Sequence, residues 1–534
     1  FGSRLFNAMA TAAPSESQNY NAHGRAVRWA DRLFGFRWSR RSGGLLHQLN
    51  LAVLCVVTFA LVPDHRPADK AIRAASGAAA RTGPPWKAVG RASLLTCGDS
   101  LPKPPDYDYG IFDFPGKRVF PADILDDLLS WGAATVHLAP LLRKLAGERR
   151  GKVVVLGGSM PAGSKCIQPA LPAFSAGSAG KCPAGAEHND SVCVLVGKSC
   201  AWPARLELWL RAAFPGSEVV VDNRAVGGMG SRSIAAFTVY FMHGHSDADL
   251  VVLDTSVNDR HAPFGSAVAH EDLIYAVREA APQTGFVAIL GACEGCEDCE
   301  RSHVPVWSHH GIPVLHMLNI TRRYGQDVWP SLAPGVDPRH PPYPTHQAIA
   351  DLLATTMSQV WPRICGGATE PPALRKQPLE PLDLAQKPCT AAKVWYIFGD
   401  SVPFKPVITS GDWTVMRDLP NKPPAWIAFT QGSKMTLQLT FEVAPARLAV
   451  SYLRSYQNIS DMSLRIASTG REVVLKGLWK SKLSTSETVW FSGGEEQEGT
   501  ARGKFLQGVR MSNETLEVTA VGSGKVKLVG VLAC

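Results

Sequence analysis

The 534-residue chain lacks any concentrated run of positive charge beyond its first 43 residues, which changes the meaning of its net charge of +9. Residues 1–43 hold seven arginines (Arg4, Arg25, Arg28, Arg32, Arg37, Arg40, Arg41) against Glu16 and Asp31, giving +5, so the rest of the chain carries only +4, spread along its length. A nucleic-acid partner is set aside on that ground. The chain also lacks an apolar run that would cleanly cross a bilayer. Its clearest one, Leu51–Val62, has twelve uncharged residues against the roughly 20 of a spanning helix, and it extends back to Gly44 only through His47, Gln48 and Asn50. There is no internal repeat. With 45% hydrophobic and 19% charged residues, the composition is globular and excludes wholesale disorder. The length allows two or three domains.

A short apolar run behind six arginines fits a signal-peptide core or a signal anchor, with its N-terminal side in the cytoplasm. The preferred expectation is a basic cytoplasmic tail (1–43), an uncleaved single-pass anchor (44–62) and a stem with lead-in (63–120) rich in Ala, Arg, Pro and Gly. The remainder then lies in the secretory lumen or outside the cell; the alternative is cleavage after Ala60 and secretion. Four N-x-S/T sequons, at Asn189, Asn319, Asn458 and Asn513, all follow the apolar run, as do eleven of the twelve cysteines. Scattered cysteines in an exported chain read as disulfides. Eleven is odd, which leaves one thiol free or paired with another chain. The run Cys293-x-x-Cys296-x-x-Cys299 has metal-ligand spacing but lacks a fourth ligand, so no metal is assigned.

Downstream, the pattern divides in two. Residues 121–362 begin with helical spacing over Pro121–Gly147, then short β-branched runs at Lys152–Leu156, Glu218–Val221, Leu250–Leu253, Phe286–Leu290 and Pro313–Leu315. Helical segments separate several of them, at Trp202–Phe214, Glu271–Ala281 and His346–Trp361. Alternating strands and helices predict an α/β domain with a mostly parallel sheet. The Cys-rich stretch Ser164–Cys200 breaks that rhythm as a disulfide-bonded excursion. A Pro-rich linker follows (363–393). In residues 394–534 the period becomes two, as in Met435–Val443 and Leu516–Val521, and the latter is expected to form a hairpin with Lys525–Val531 through Gly522-Ser523-Gly524. This part is read as an all-β sandwich, with Trp395, Trp413, Trp426, Trp479 and Trp490 assigned to core packing rather than to a sugar platform.

Three serines occupy a G-x-S setting: Ser100, Ser159 and Ser401. A Gly-rich turn after a buried strand exposes a hydroxyl at the carboxyl end of a sheet, where open α/β folds bind ligands. Ser159 follows Val-Val-Val-Leu; Ser401 belongs to the all-β part and has no later His; Ser100 precedes the alternating pattern. A serine nucleophile needs a base to take its proton and an acid to orient that base. Asp337-Pro-Arg-His340-Pro341 supplies both, just ahead of a helix. Oxyanion donors are available from Gly228, in Asn223-Arg-Ala-Val-Gly-Gly-Met-Gly230, and from Asn258, at the end of Asp249–Asp259. Asp259 is expected to buttress its loop, and His243, His245, His261, His309 and His310 to be structural or solvent-facing. Arg260 and His261 are possible contacts to an anionic or sugar substrate.

The ordered set of Ser159, Gly228, Asn258 and Asp337-x-x-His340, with His346-Gln-Ala-Ile-Ala-Asp351 behind it, resembles the SGNH (GDSL-type) hydrolase superfamily over about residues 150–360. Three features depart from that pattern: Gly158 in place of Asp, Thr345 in place of Gly, and the long Cys-rich excursion. The resemblance implies a flavodoxin-like three-layer sandwich and a cofactor-free serine esterase. In it Ser159 is the nucleophile, His340 the base and Asp337 its partner, with Ser159, Gly228 and Asn258 forming the oxyanion hole. The substrate it suggests is an acyl, first an O-acetyl, ester on a polysaccharide or glycoprotein. Two alternatives stand beside it: a glycan O-acyltransferase using the same acyl-enzyme, and an inactive glycan-binding or adhesive exported protein.

Overall fold

The computed structural model of the chain describes residues 100–101, 131–169, 186–189, 192–259, 267–324, 329, 339–365, 392, 394–418, 422–442, 444–480, 484–492, 504–509 and 513–534. The basic tail, the apolar segment, nearly all of the stem, most of the linker, and Asp337, Arg260 and His261 lie outside the described residues. Among the described residues no helix is long and apolar enough to cross a membrane.

Each of the five β-branched runs is a strand: β1 (Arg150–Gly157), β2 (Glu218–Asn223), β3 (Leu250–Asp254), β4 (Gly285–Leu290) and β5 (Val314–His316). All pair in parallel, in the order β2-β1-β3-β4-β5. Val153, Val154, Val155 and Leu156 are buried on both faces of the sheet, which is why they read as a continuous apolar run. One face is covered by α1 (Trp131–Arg143), α2 (Trp202–Ala213) and, from the far end of the domain, the helix Tyr343–Cys365. The other carries α3 (Ser231–Ala236), α4 (Thr238–Phe241), α5 (Ser256–Asp259), α6 (Ala267–Ala280) and α7 (Cys296–His309). With α8 (Met317–Tyr324) following β5, the helix Tyr343–Cys365 is α9. The result is the three-layer α/β sandwich expected from the alternation. The helix α7 did not show as a period: its sequence starts Cys-Glu-Asp-Cys-Glu, with Pro305 in its interior.

The excursion after β1 is a small antiparallel sheet of Ile167–Pro169, Val192–Val196 and Ala186–Asn189, closed by a disulfide between Cys166 and Cys200. Buried Arg205 fastens its end, donating to the Cys200 carbonyl at 2.8 Å and to Gln347 Oε1 at 2.6 Å. A second disulfide joins Cys293 to Cys296, and Cys365 and Cys534 are also disulfide-bonded. The metal alternative for the Cys293–Cys299 run is thereby overturned: two of its sulfurs bond each other, and the buried Cys299 thiol donates to the Ser256 carbonyl at 3.3 Å. Of the four sequon asparagines, Asn319, Asn458 and Asn513 are exposed.

Twelve strands build the second domain: β6 (Val394–Ile397), β7 (Asp400–Val402), β8 (Val407–Ser410), β9 (Thr414–Met416), β10 (Ala425–Ala428), β11 (Lys434–Thr440), β12 (Arg447–Arg454), β13 (Met462–Ile466), β14 (Glu472–Leu475), β15 (Thr485–Ser492), β16 (Asn513–Ala520) and β17 (Val526–Ala533). One sheet runs β7-β6-β17-β10-β9, with β12 between β17 and β15; the other runs β8-β11-β16-β13-β14. The expected hairpin between β16 and β17 does not form, because the two strands lie in opposite sheets. The glycine turn carries the chain across the sandwich, held by Ser460 N–H to the Lys525 carbonyl (2.8 Å) and Val521 N–H to the Asp461 carbonyl (3.0 Å). The burial patterns give the reason. In β16 alternate residues are buried, as in a sheet with one wet face, whereas every residue of β17 is buried.

Strand β17 is covered on both sides because the two domains share one core. Ile397, Phe398, Ala449, Trp490, Val529 and Leu532 belong to the same buried cluster as Phe237 and Phe241 of the α3–α4 segment. Tyr240 meets Trp395 and Phe398 edge-on, with ring centroids 5.4 and 5.6 Å apart. Gly530 is bare where Phe237 lies against it: a Cβ there would sit 3.0 Å from Phe237 Cζ. Trp413 and Trp490 are buried, in keeping with the packing role expected for them. Phe237→Ala should cost about 3–5 kcal/mol, the range for deleting a buried aromatic. Denaturant unfolding monitored separately by tryptophan fluorescence and far-UV circular dichroism should show both domains losing stability together.

Candidate active site

In a sheet of this order the chain leaves β1 outward to β2 on one side and later returns beside β1 as β3. The crevice beyond the carboxyl ends of β1 and β3 is the topological switch point, where open α/β sheets bind ligands. Ser159 follows β1 by two residues and Asn258 follows β3 by four. They meet there: Ser159 Oγ lies 3.2 Å from Asn258 Oδ1, and the Ser159 N–H donates to the same oxygen at 2.8 Å.

Two missing side chains permit the contact. The Gly158 N–H donates to the Asp254 carbonyl at 3.1 Å, so the strand ends run almost together. A Cβ on Gly157 would stand 2.3 Å from that carbonyl oxygen; one on Gly158 would stand 1.7 Å from Asn258 Oδ1 and 2.8 Å from the Met229 carbonyl. Ser159 itself is 5% exposed and heads a tight turn in which Ser164 N–H donates back to its carbonyl at 2.9 Å. Gly163, at φ +73°, lets the turn pass over the Gly197 carbonyl of the excursion.

Gly228 sits at φ +90°, a conformation suited to glycine. Its carbonyl accepts from the Ser486 N–H (3.2 Å) and from Thr485 Oγ1 (3.1 Å), both at the start of β15 in the second domain. His340 is half-buried in the turn just before α9. Its charge reaches His346 in the first turn of that helix. His346 is buried, and burial first, then Arg205 and His340, lower its pKa to about 3. It is therefore a neutral imidazole whose Nδ1 accepts the Trp202 N–H at 3.3 Å. The Trp202 indole N–H in turn donates to Asp254 Oδ2 at 2.9 Å. His346, Trp202 and Asp254 thus link the first turn of α9 to the end of β3 beneath Ser159. Asp337 lies outside the described residues.

Asp259 buttresses the site from behind, as expected: its Oδ1 accepts the Ser231 N–H at 2.7 Å at the head of α3, and its Oδ2 accepts from Ser231 Oγ. His270 Nδ1 lies 2.9 Å from Ser231 Oγ, and the Trp307 indole N–H donates to His270 Nε2. This buried cluster, and the Asp254–Trp202 pair, are functional-site neighbours that sequence reasoning did not single out. Asp254 was the legible one, a carboxylate closing an otherwise apolar strand. His245 pairs with Asp222 at 3.0 Å and His310 with Glu271 at 2.6 Å, while His243 is exposed.

No protein-family model matches the chain, and no curated protein does. Solved structures do. A two-domain esterase active on acetylated mannans is 15% identical, with 76% of this chain and 98% of that one covered, at a TM-score of 0.49. The lipase/acylhydrolase from Enterococcus faecalis is 15% identical over 39% of this chain and 96% of its own, at 0.28. The CBM35 from Cellvibrio japonicus Abf62 is 10% identical over 25% of this chain and 88% of its own, at 0.18. None of the three assigns a role to a residue here.

Two outcomes test the geometry. Gly158→Ala should force the Asn258 carboxamide off Ser159 and lower stability by about 1–3 kcal/mol, as overpacking does, measured as a fall in Tm. Burial raises the Asp254 carboxyl from 3.8 to about 7, the Trp202 hydrogen bond opposing it. Between those values the folded chain holds a proton that the unfolded chain has released, so this group's contribution to stability declines as pH rises through the window. Asp254→Asn keeps an acceptor for Trp202 and has nothing to titrate. Its stability should therefore fall less between pH 4 and pH 7 than the parent's, by denaturant titration at each pH.

Proposed function

We propose that the chain is a serine esterase of the SGNH type that cleaves acyl esters carried on glycans. The observation that carries this is the meeting of Ser159 and Asn258 at the switch point, 3.2 Å apart. In this proposal His340 takes the Ser159 proton as the hydroxyl attacks the ester carbonyl, and Asp337 orients the imidazole and stabilises its charged form. The oxyanion is held by the Ser159 N–H, the Gly228 N–H and the Asn258 amide. The alcohol leaves with the proton from His340, and water repeats the sequence on the acyl-enzyme.

One adjustment is needed for substrate to enter. At rest the Ser159 N–H is occupied by Asn258 Oδ1. Rotation of the carboxamide about its soft terminal torsion withdraws the oxygen and brings the amide N–H2 to the same place, so one movement frees one donor and supplies another. Polar side chains from both domains, Ser164 and Lys422, stand beside Gly227 in the loop that leads to Gly228, and groups of that kind suit a glycan. The disulfides support a site of action outside the cytosol, and we extend the proposal to an exported chain held by its N-terminal apolar segment.

The test is covalent. A fluorophosphonate probe should label the folded protein, and Ser159→Ala should abolish both labelling and p-nitrophenyl acetate hydrolysis. His340→Ala should lower kcat by about 10⁴-fold, the scale on which triad members act. A folded parent protein that resists the probe and leaves the ester intact would overturn the proposal.

A further inference from the structure

Gly227 is where both domains approach the candidate site. Its neighbour Val226 donates its N–H to the Gly157 carbonyl at 3.0 Å, which lays the glycine against the strand end that carries Ser159. A Cβ built on Gly227 would meet only two groups, Ser164 Oγ at 3.5 Å and Lys422 Nζ at 4.0 Å. Ser164 belongs to the turn that Ser159 heads. Lys422 comes from the other domain, three residues ahead of β10. A hydroxyl from one domain and an ammonium from the other therefore stand over a bare stretch of backbone.

Among the described residues the Lys422 ammonium makes no ion pair or hydrogen bond. The carboxylate that acts on it, Asp418, has committed both oxygens elsewhere: Oδ2 to Lys525 and Oδ1 to Lys527, each at 2.7 Å. Arg417 joins the group by donating to the Lys422 carbonyl at 2.9 Å. Three ammonium groups (Lys422, Lys525, Lys527) thus share one carboxylate, with a fourth cation, Arg417, bonded to the Lys422 backbone. Burial, then Lys527, lower the Lys422 pKa, with Asp418 opposing. A part-buried cation without a committed counter-ion is costly in the empty protein and repays that cost when an anion arrives.

We propose that Gly227, Ser164 and Lys422 form a subsite for the carboxylate of an acidic sugar, and that the esters cleaved at Ser159 are carried on a uronic-acid-containing glycan. The second half rests on the esterase proposal above; the first half does not. A carboxylate offers two coplanar oxygens, one to accept from the Ser164 hydroxyl and one to pair with the ammonium, over a backbone that has no side chain to obstruct it. A neutral hexose offers the lysine no charge.

Binding of trigalacturonate and of mannotriose, measured by calorimetry, needs no ester to be broken. The parent protein should bind trigalacturonate at least about tenfold more tightly than mannotriose, the worth of one charge-assisted contact. Lys422→Gln should lose about that factor for trigalacturonate alone, and Lys422→Arg should retain most of it. Gly227→Ala gives a second handle: its Cβ fits the fold at ordinary contact distances yet fills the cradle, so it should weaken trigalacturonate in the same way. Equal affinity for the two sugars in the parent, or an unchanged trigalacturonate affinity in folded Lys422→Gln, would overturn the subsite. Failure of the fluorophosphonate test with this binding pattern intact would remove the esterase and leave an acidic-glycan-binding site.

Discussion

The carboxyl ends of β1 and β3 approach so closely that neither Gly157 nor Gly158 has room for a side chain, and the geometry of the candidate site follows from that approach. The Gly158 N–H is spent on the Asp254 carbonyl, which fixes where the Ser159 turn begins. The volume that a residue 158 side chain would occupy is taken by the Asn258 carboxamide. With no side chain at residue 158, the Asn258 carboxamide on the neighbouring strand's end reaches the serine. The glycine is a steric requirement of this particular arrangement.

The polar groups beneath that floor are satisfied in a definite sense of donation. Trp307 can only donate, so His270 accepts at Nε2 and, held neutral by burial, carries its proton on Nδ1 toward Ser231, which donates to Asp259. Asp259, His270 and His303 come close enough together for one cation to touch all three, but both His270 nitrogens are engaged by Trp307 and Ser231. The cluster therefore serves to hold the head of α3, and with it the loop 224–230, against the end of α5. Asp254 is handled differently. Among the described residues it has one indole donor and no cation, and burial pushes its carboxyl up to about 7.

Much of this was legible in the residues. Five β-branched runs gave five parallel strands because a doubly covered strand has no polar face to write into its sequence. The change to period two after the linker marked a sandwich, and the strands that show it, β11 and β16, lie in the sheet with one wetter face. Ser159 and Asn258 were found by their places after strands, and the structure brings them together; Gly228 was found as a turn, but its tie to β15 was not. What stayed hidden was non-local. β17 looks like the second arm of a hairpin, because Gly-Ser-Gly turns are common to hairpins and to crossings between sheets, and only the second cover over β17 decides between them. Helix α7 opens on cysteines and acidic residues, so its apolar stripe is too thin to show a period. Lys422 is one lysine among many until the fold sets it beside Gly227.

The clamp of Thr485 and Ser486 on the Gly228 carbonyl makes the two domains energetically one device. A backbone amide is only as steady as the peptide planes around it, and at Gly228 one of those planes is tethered to the sandwich. Any displacement of the start of β15 would pull on that tether, and any displacement of the Gly228 loop would pull on β15. Separating the domains at the linker would therefore do more than expose apolar surface. It would cut loose the loop that carries Gly228.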